Sequence, residues 1–431
     1  MQGLWALAGD SRWKRHRIRW SVALLLTGLV VSSSAWAQNS NEKDSDRETI
    51  QMLLRRVEQL EARVAQLEGA NRPAPSAAEV AKPATVSPQN EPEPIVATSE
   101  TERMDTSSTL MRIRGFGDVT FHGSDQRGTN TSFTLGQLDL FVTSDISEKF
   151  KFLSELVFEA DARNNNFGVD VERLLVQYSP NDYLKLSAGR YHTAIGYYNT
   201  AYHHSTWLQT ATGRPFLFQF EDDEGILPIH NVGLSATGLI PSGSLQLHYV
   251  AEVGNGRASR FPGDEPVQNV MDENNRKAFN LGGYVTPEWV QGLQAGFSVY
   301  HDRLTPAGQA TIGETILAAH GVIVRPNFEW LNEAMLIRHA PDGSGRVFNT
   351  PGFYTQVSKR FGSYRPYFRY QYVNGSDSEP VFPWVGMRQG PSVGLRFDAS
   401  ESVALKLQYD RTSLRHDPSV NSLALQVGFT F

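Results

Sequence analysis

From Leu110 to the C-terminus, apolar and polar residues alternate. In "LALQVGFTF", Leu423, Leu425, Val427, Phe429 and Phe431 share one side, while Ala424, Gln426, Gly428 and Thr430 share the other. In "VALKLQYD", Val403, Leu405, Leu407 and Tyr409 oppose Lys406, Gln408 and Asp410; in "LQAGFSVY", Leu293, Ala295, Phe297 and Val299 oppose Gln294, Gly296, Ser298 and Tyr300. A period of two is that of a strand with one greasy and one wet face. Sixteen such runs are predicted, the first near 110–122 and the last near 421–431. Two stretches, "ERLLVQY" and "EWLNEAMLIRH", do not alternate cleanly.

The connections alternate as well. "SPND", "PSG", "RPN", "FGS" and "DASE" are tight turns, whereas the intervening connections run from about eight residues to nearly forty. An even number of strands with short turns at one end and long loops at the other predicts an all-β fold, a sixteen-stranded antiparallel transmembrane β-barrel over 110–431. Aromatic residues gather beside the tight turns (Tyr178, Tyr183, Trp289, Phe328, Trp330, Phe361, Tyr364, Phe431), where a barrel keeps its headgroup girdle. An apolar content of 40% would by itself suggest a soluble protein. The alternation explains it, because only every second residue of a strand faces lipid.

The region before the barrel divides into three. A basic run "RWKRHRIRW", an apolar run "SVALLLTGLVV" and "AWAQ" form a signal peptide over 1–37 with cleavage after Ala37, so the chain is expected to be exported. Residues 38–69 hold heptads with Ile50, Val57 and Val64 at a and Leu53, Leu60 and Leu67 at d, a coiled-coil oligomerisation segment. Its Arg56 and Arg63 at g can pair with Glu61 and Glu68 at e. β-Branched a with Leu d is the dimer pattern, but "RVEQLE" and "RVAQLE" match the Arg-apolar-x-x-apolar-Glu pattern of three-stranded coils, and a homotrimer is expected. Residues 70–109, rich in Pro, Ala and Glu, form a linker, preceded by a disposition of chain that could also reach the peptidoglycan and tether the membrane to it.

The chain has no cysteine, which excludes disulfides, thiolate metal sites and cysteine nucleophiles. Its balance of 40 Lys+Arg against 46 Asp+Glu gives no reason to expect a nucleic-acid partner.

The strand count, the turn and loop alternation, the terminal strand "LALQVGFTF" and the stretch "LKLSAGRYHTAIGYYN" (184–199) together resemble the sixteen-stranded trimeric porins of bacterial outer membranes. Within them the likeness is to the phosphate-selective-porin-like group, some of which carry an N-terminal coiled coil. The resemblance implies an outer-membrane protein, surrounded by lipid, that lets small hydrophilic solutes or ions diffuse through a water-filled channel without a cofactor. It also implies that the long third loop, about His192 to His230, folds into the barrel and narrows the channel.

That loop carries the acidic run Glu221, Asp222, Asp223 and Glu224, read as a pore constriction. Arg112, Arg114, Arg365, Arg369, Arg396 and Lys406 point away from the lipid face of neighbouring strands and are read as a basic pore lining. Opposed acidic and basic walls set up a transverse field that tunes ion preference. Phosphate capture needs clustered Arg and Lys, and the acidic loop departs from that pattern. Two rival chemistries compete for the loop. His192, His203, His204, His230, Asp222, Asp223 and Ser205 match no nucleophile motif, so no enzyme is expected. "FEDDEG" offers hard oxygen ligands, to which the neighbouring histidines could add nitrogen, but it lacks the spacing of a calcium loop; no metal site is assigned, and a divalent cation at the acidic loop stays an open alternative.

Overall fold

The computed structural model describes residues 111–161, 165–202, 206–221, 225–258 and 269–431. The signal segment, the coiled-coil positions Ile50, Leu53, Val57, Leu60, Val64 and Leu67, and the linker lie outside them, as do Asp222, Asp223 and Glu224.

Sixteen strands follow one another: β1 (Met111–Ser124), β2 (Ser132–Asp145), β3 (Phe150–Asp161), β4 (Asn166–Asn181), β5 (Leu184–His192), β6 (His230–Ile240), β7 (Leu247–Asn255) and β8 (Lys277–Val285), then β9 (Leu293–Leu304), β10 (Ile312–Arg325), β11 (Phe328–Pro341), β12 (Phe348–Lys359), β13 (Tyr364–Asn374), β14 (Met387–Asp398), β15 (Val403–Leu414) and β16 (Val420–Thr430). Each pairs antiparallel with its neighbours in sequence, and β1 pairs with β16 to close the barrel. Closure leaves no open edge whose backbone groups would need other partners. At the seam, Gly115 exchanges both backbone hydrogen bonds with Phe431, each at 2.9 Å. The Phe431 ring fills the space that a side chain at Gly115 would take.

The predicted alternation becomes an inverted protein. Phe279, Leu281, Phe297, Leu317, Leu407 and Leu425 stand exposed on the outside, while Glu252, Asp302, Glu314, Arg369, Lys406 and Gln426 are buried inside. An apolar outer surface of this extent fits a hydrocarbon surround and not water. Tyr183, Trp289, Trp330, Phe361, Tyr364 and Phe431 are also exposed, beside the short connections.

The two stretches that break the alternation have separate causes. In β4 the pairing with β3 shifts between Glu155 and Leu156, so that Glu172 is an extra residue. This β-bulge turns Glu172 and its neighbour Arg173 both inward, and exposed residues change from Val169 and Val171 before it to Leu174 and Val176 after it. In β10 and β11 the alternation persists, but much of the inner face is apolar as well. Ile312, Ile316, Val322, Leu331, Met335 and Ile337 are buried within the barrel because they meet an apolar loop there.

A second irregularity lies in β5, where Gly189 has φ +137° and an added Cβ would lie 2.0 Å from the Leu174 carbonyl oxygen. Gly189→Ala should therefore lose roughly 1–3 kcal/mol of stability from backbone strain alone. Gly313→Ala, whose Cβ would meet nothing nearer than 3.8 Å, should behave as the parent chain. Thermal melting in detergent, followed by loss of strand circular dichroism, compares the two.

A loop held inside the barrel as candidate functional site

Between β5 and β6, the described residues of the segment 193–229 lie against the inner wall. It contains a short helix, α1 (Tyr198–Ala201), and a 3-10 turn at Phe216–Phe218. Its sequence gives it its own core: Tyr198 packs on Tyr202 and Phe218 with ring centroids 4.7 and 5.4 Å apart, and Tyr354 of β12 meets Tyr198 edge-on at 6.0 Å. Arg214 lies over the Phe220 ring at 4.0 Å, donates to the Phe218 carbonyl and, at 3.4 Å, to the Tyr202 carbonyl, tying the outgoing limb to the returning one. Ile195, Leu217, Ile226, Leu227 and Ile229 complete the cluster against the apolar inner faces of β9 to β13. Leu217 occupies the slot that Gly352 leaves open in β12.

Buried apolar contact alone would leave the loop backbone unsatisfied inside the barrel, and charged wall residues supply the partners. Glu333 accepts from the Tyr197 and Tyr198 amides at 2.6 and 2.9 Å and from the Tyr354 hydroxyl at 2.7 Å. Glu329 accepts from the Tyr202 hydroxyl at 2.9 Å, Thr210 at 3.3 Å and Gln356 at 2.7 Å. Cations then hold loop carbonyls: Arg396 donates to Trp207 at 2.6 Å and Gln209 at 2.9 Å, Arg369 to Gly213 at 3.2 Å, and Lys406 to Thr206 and, at 3.2 Å, to Ala211. Neutral amides add to this, with Gln408 accepting from the Thr212 amide at 3.0 Å and Gln371 from the Phe216 amide at 2.9 Å. Such charge-assisted bonds are roughly twice as strong as neutral ones.

The basic residues named from the sequence therefore separate. Arg369, Arg396 and Lys406 do face inward, but they lie beneath the loop, and Lys406 and Arg369 are each only 1% exposed, so they do not border open water. Arg112 and Arg114 sit exposed at the start of β1, with Arg112 3.7 Å from Asp145. Arg365 donates to the Pro326 carbonyl at 3.0 Å in the turn after β10. Of the acidic run, Glu221 accepts from the His230 amide at 3.1 Å and faces the His230 ring, whose Nδ1 is 3.3 Å away. Glu329 and Glu333 escaped the sequence reading, and the signal was present in the same broken stretch, "EWLNEAMLIRH", that resisted assignment of faces.

Beside the loop a cavity of about 540 Å³ remains, bordered by Gln177, Lys185, Ser187, Thr237, His248 and Tyr284 of β4 to β8 and by loop residues Ala194 and Thr200. Its lining mixes hydroxyl, amide and imidazole groups with apolar residues such as Leu175, Val250 and Phe297, and its charged members include Asp182, Lys185 and Glu252. The loop thus fills the β9–β16 half of the interior and leaves this side less occupied.

No family model and no curated protein matches the sequence. Among solved structures the barrel is similar to an anion-selective porin from Comamonas acidovorans, with TM-score 0.54 and 14% identity over 75% of this chain and 100% of that one. It is also similar to the outer membrane channel DcaP of Acinetobacter baumannii (TM-score 0.52, 11% identity, 75% of this chain and 97% of that one). This is the fold of outer-membrane porins. Salmonella typhi OmpF, in a complex with daunomycin, matches with TM-score 0.52 and 10% identity over 74% of this chain and 97% of that one. These likenesses extend to the porin fold, and the anchors that hold the loop come from this chain's own residues.

Two outcomes follow from the anchors. Replacing Glu333 by Ala strands two loop amides and a tyrosine hydroxyl and should cost about 1–3 kcal/mol or more per unsatisfied group, read as a fall in melting temperature larger than for Asp342→Ala at an exposed loop. Burial pushes the Glu221 carboxyl up, but the neighbouring His230 ring and two amides outweigh this and hold it below the usual carboxylate value. A carboxyl lowered by folding stabilises above its unfolded value, and that contribution is lost as pH falls through the lowered value. Acidification from about pH 7 to below about pH 4 should therefore destabilise the parent more than Glu221→Gln, in melting temperatures measured against pH.

Proposed function

We propose that this chain is a passive channel of the bacterial outer membrane, exported by its leader, in which the loop 193–229 narrows the aqueous path for small hydrophilic solutes or ions. The observation that carries this reading is the pairing of an apolar exterior with an interior loop fastened to one half of the wall. A loop fixed in this way reduces the cross-section without closing the side lined by Gln177, Ser187, Thr237 and His248. Polar, hydroxyl- and amide-bearing walls replace part of a solute's hydration without trapping it, which suits conduction.

In this reading Arg369, Arg396 and Lys406 act as anchors, so the field across the path is weaker than two opposed charged walls would give. The acidic run Glu221, Asp222, Asp223 and Glu224 is the constriction as the sequence reads it, and its charge favours cations. The heptad segment 50–68 holds three subunits together. The fold likeness to porins supports the membrane setting, and the apolar belt supports lipid as the surrounding partner.

Planar-bilayer recording tests the proposal. Purified protein should insert with stepwise, ohmic conductance, and the reversal potential across a salt gradient should move toward anion preference when the four acidic residues become amides. A preparation that folds but inserts without conductance would overturn the channel reading. An unchanged reversal potential would remove the acidic run from the path.

A further inference from the structure

Where the loop departs from β5 and rejoins β6, three side chains from three strands converge, and one of them, His192, borders the cavity. His192 and His230 are the terminal register pair of β5 and β6, with ring centroids 4.8 Å apart. Glu172 arrives from β4 because the bulge turns it inward. One ligand atom from each of the three lies within 4.8 Å of the others.

We propose that Glu172, His192 and His230 form a binding site for a divalent transition-metal ion, with zinc as the chemistry that fits best. Two imidazoles and one carboxylate with a fourth position open are a donor set for zinc, whereas calcium and magnesium prefer oxygen donors throughout. The surroundings point the same way. His192 Nδ1 lies 3.2 Å from the Asn199 carbonyl oxygen, a contact that places the proton on Nδ1 and presents Nε2 as the metal-binding nitrogen. His230 Nδ1 lies 3.3 Å from Glu221 Oε2, while its Nε2 faces Glu172 at 2.6 Å. Each histidine thus has its second nitrogen held by an oxygen acceptor, the arrangement that orients metal-bound imidazoles and raises their basicity.

Asn199 is itself fixed, donating to the Thr193 carbonyl at 2.7 Å and the Ile229 carbonyl at 3.2 Å. Arg190 Nη2 lies 3.9 Å from the same Glu172 oxygen that faces His230. Donors about 2.0–2.2 Å from a tetrahedral ion stand roughly 3.3–3.6 Å apart, so Glu172 would retreat from His230 by less than about 1 Å and any pair near the 4.8 Å limit would draw together. Glu221 and Asn199 belong to the two limbs of the loop, so a metal here joins both limbs to the wall. The site is distinct from the acidic run as read from sequence, since it draws one ligand from each of β4, β5 and β6.

The test uses the full chain, purified in detergent and stripped with a chelator, then titrated with zinc chloride by calorimetry and thermal melting. The expected result is one zinc per subunit, with a rise in melting temperature that chelator reverses. His192→Gln, whose amide can still donate to the Asn199 carbonyl, and Glu172→Gln should each weaken binding by tenfold or more. Glu221→Gln should weaken it by roughly tenfold through loss of orientation at His230. Amides at Asp222, Asp223 and Glu224 should leave the stoichiometry unchanged. No saturable binding up to ~0.1 mM zinc overturns the proposal, as does affinity unchanged in both His192→Gln and Glu172→Gln. Calcium binding more tightly than zinc, or zinc binding lost only with the three amides, overturns it equally. None of these outcomes depends on conductance, so failure here is distinguishable from failure of the channel reading.

Discussion

Everything in the interior depends on one exchange of hydrogen bonds: charged side chains of the wall bind the backbone of the loop. An ammonium or carboxylate shut away from water is costly unless paired, and Lys406, Arg369 and Glu333 are almost fully buried. A loop backbone lodged in a barrel is costly for the same reason. Each solves the other's problem. Arg396 and Lys406 hold carbonyls of the stretch 206–211, and Glu333 holds the amides that open α1. Removal of either party leaves the other buried and unsatisfied, which makes the arrangement specific as well as stable.

The exchange also decides where the barrel interior is apolar. Charged anchors fix the loop's path, and that path carries Tyr198, Phe218, Ile226 and Leu227 across the inner faces of β9 to β13. Those faces bear Ile316, Leu331, Met335 and Ile337, residues that would be out of place against water. On the opposite side Gln177, Ser187, Thr237 and His248 border the cavity instead. The asymmetry of the interior follows from one segment of chain choosing one half of the wall.

This division explains what was legible in the sequence. The strands could be read because their outer faces all meet the same apolar surroundings, so Leu405, Leu407 and Tyr409 repeat one rule. The inner faces meet two different environments, and β11 looks apolar on both sides for that reason. Glu172 could not be placed because a bulge, which no periodicity announces, shifted its strand by one residue. The inward direction of Arg369, Arg396 and Lys406 followed from alternation, but their partners are backbone carbonyls, which carry no signature in a side-chain pattern. The convergence of Glu172, His192, Glu221 and His230 depends on register between strands and on the fold of the loop, and neither is local.

The seat of the loop can be tested by covalent trapping. The chain has no cysteine, and a Cβ at Gly428 of β16 would lie 3.4 Å from the Trp207 Cα. The Trp207 Cβ is one bond of about 1.5 Å further on, so the two Cβ atoms lie within about 5 Å, near the roughly 3.5–4.5 Å that a disulfide needs. In the double variant Trp207→Cys, Gly428→Cys, assembled in membranes and oxidised, mass spectrometry should find the two positions crosslinked within one chain. Two free thiols, both reactive toward a membrane-impermeant reagent while the barrel remains folded, would contradict a loop held against the inner wall.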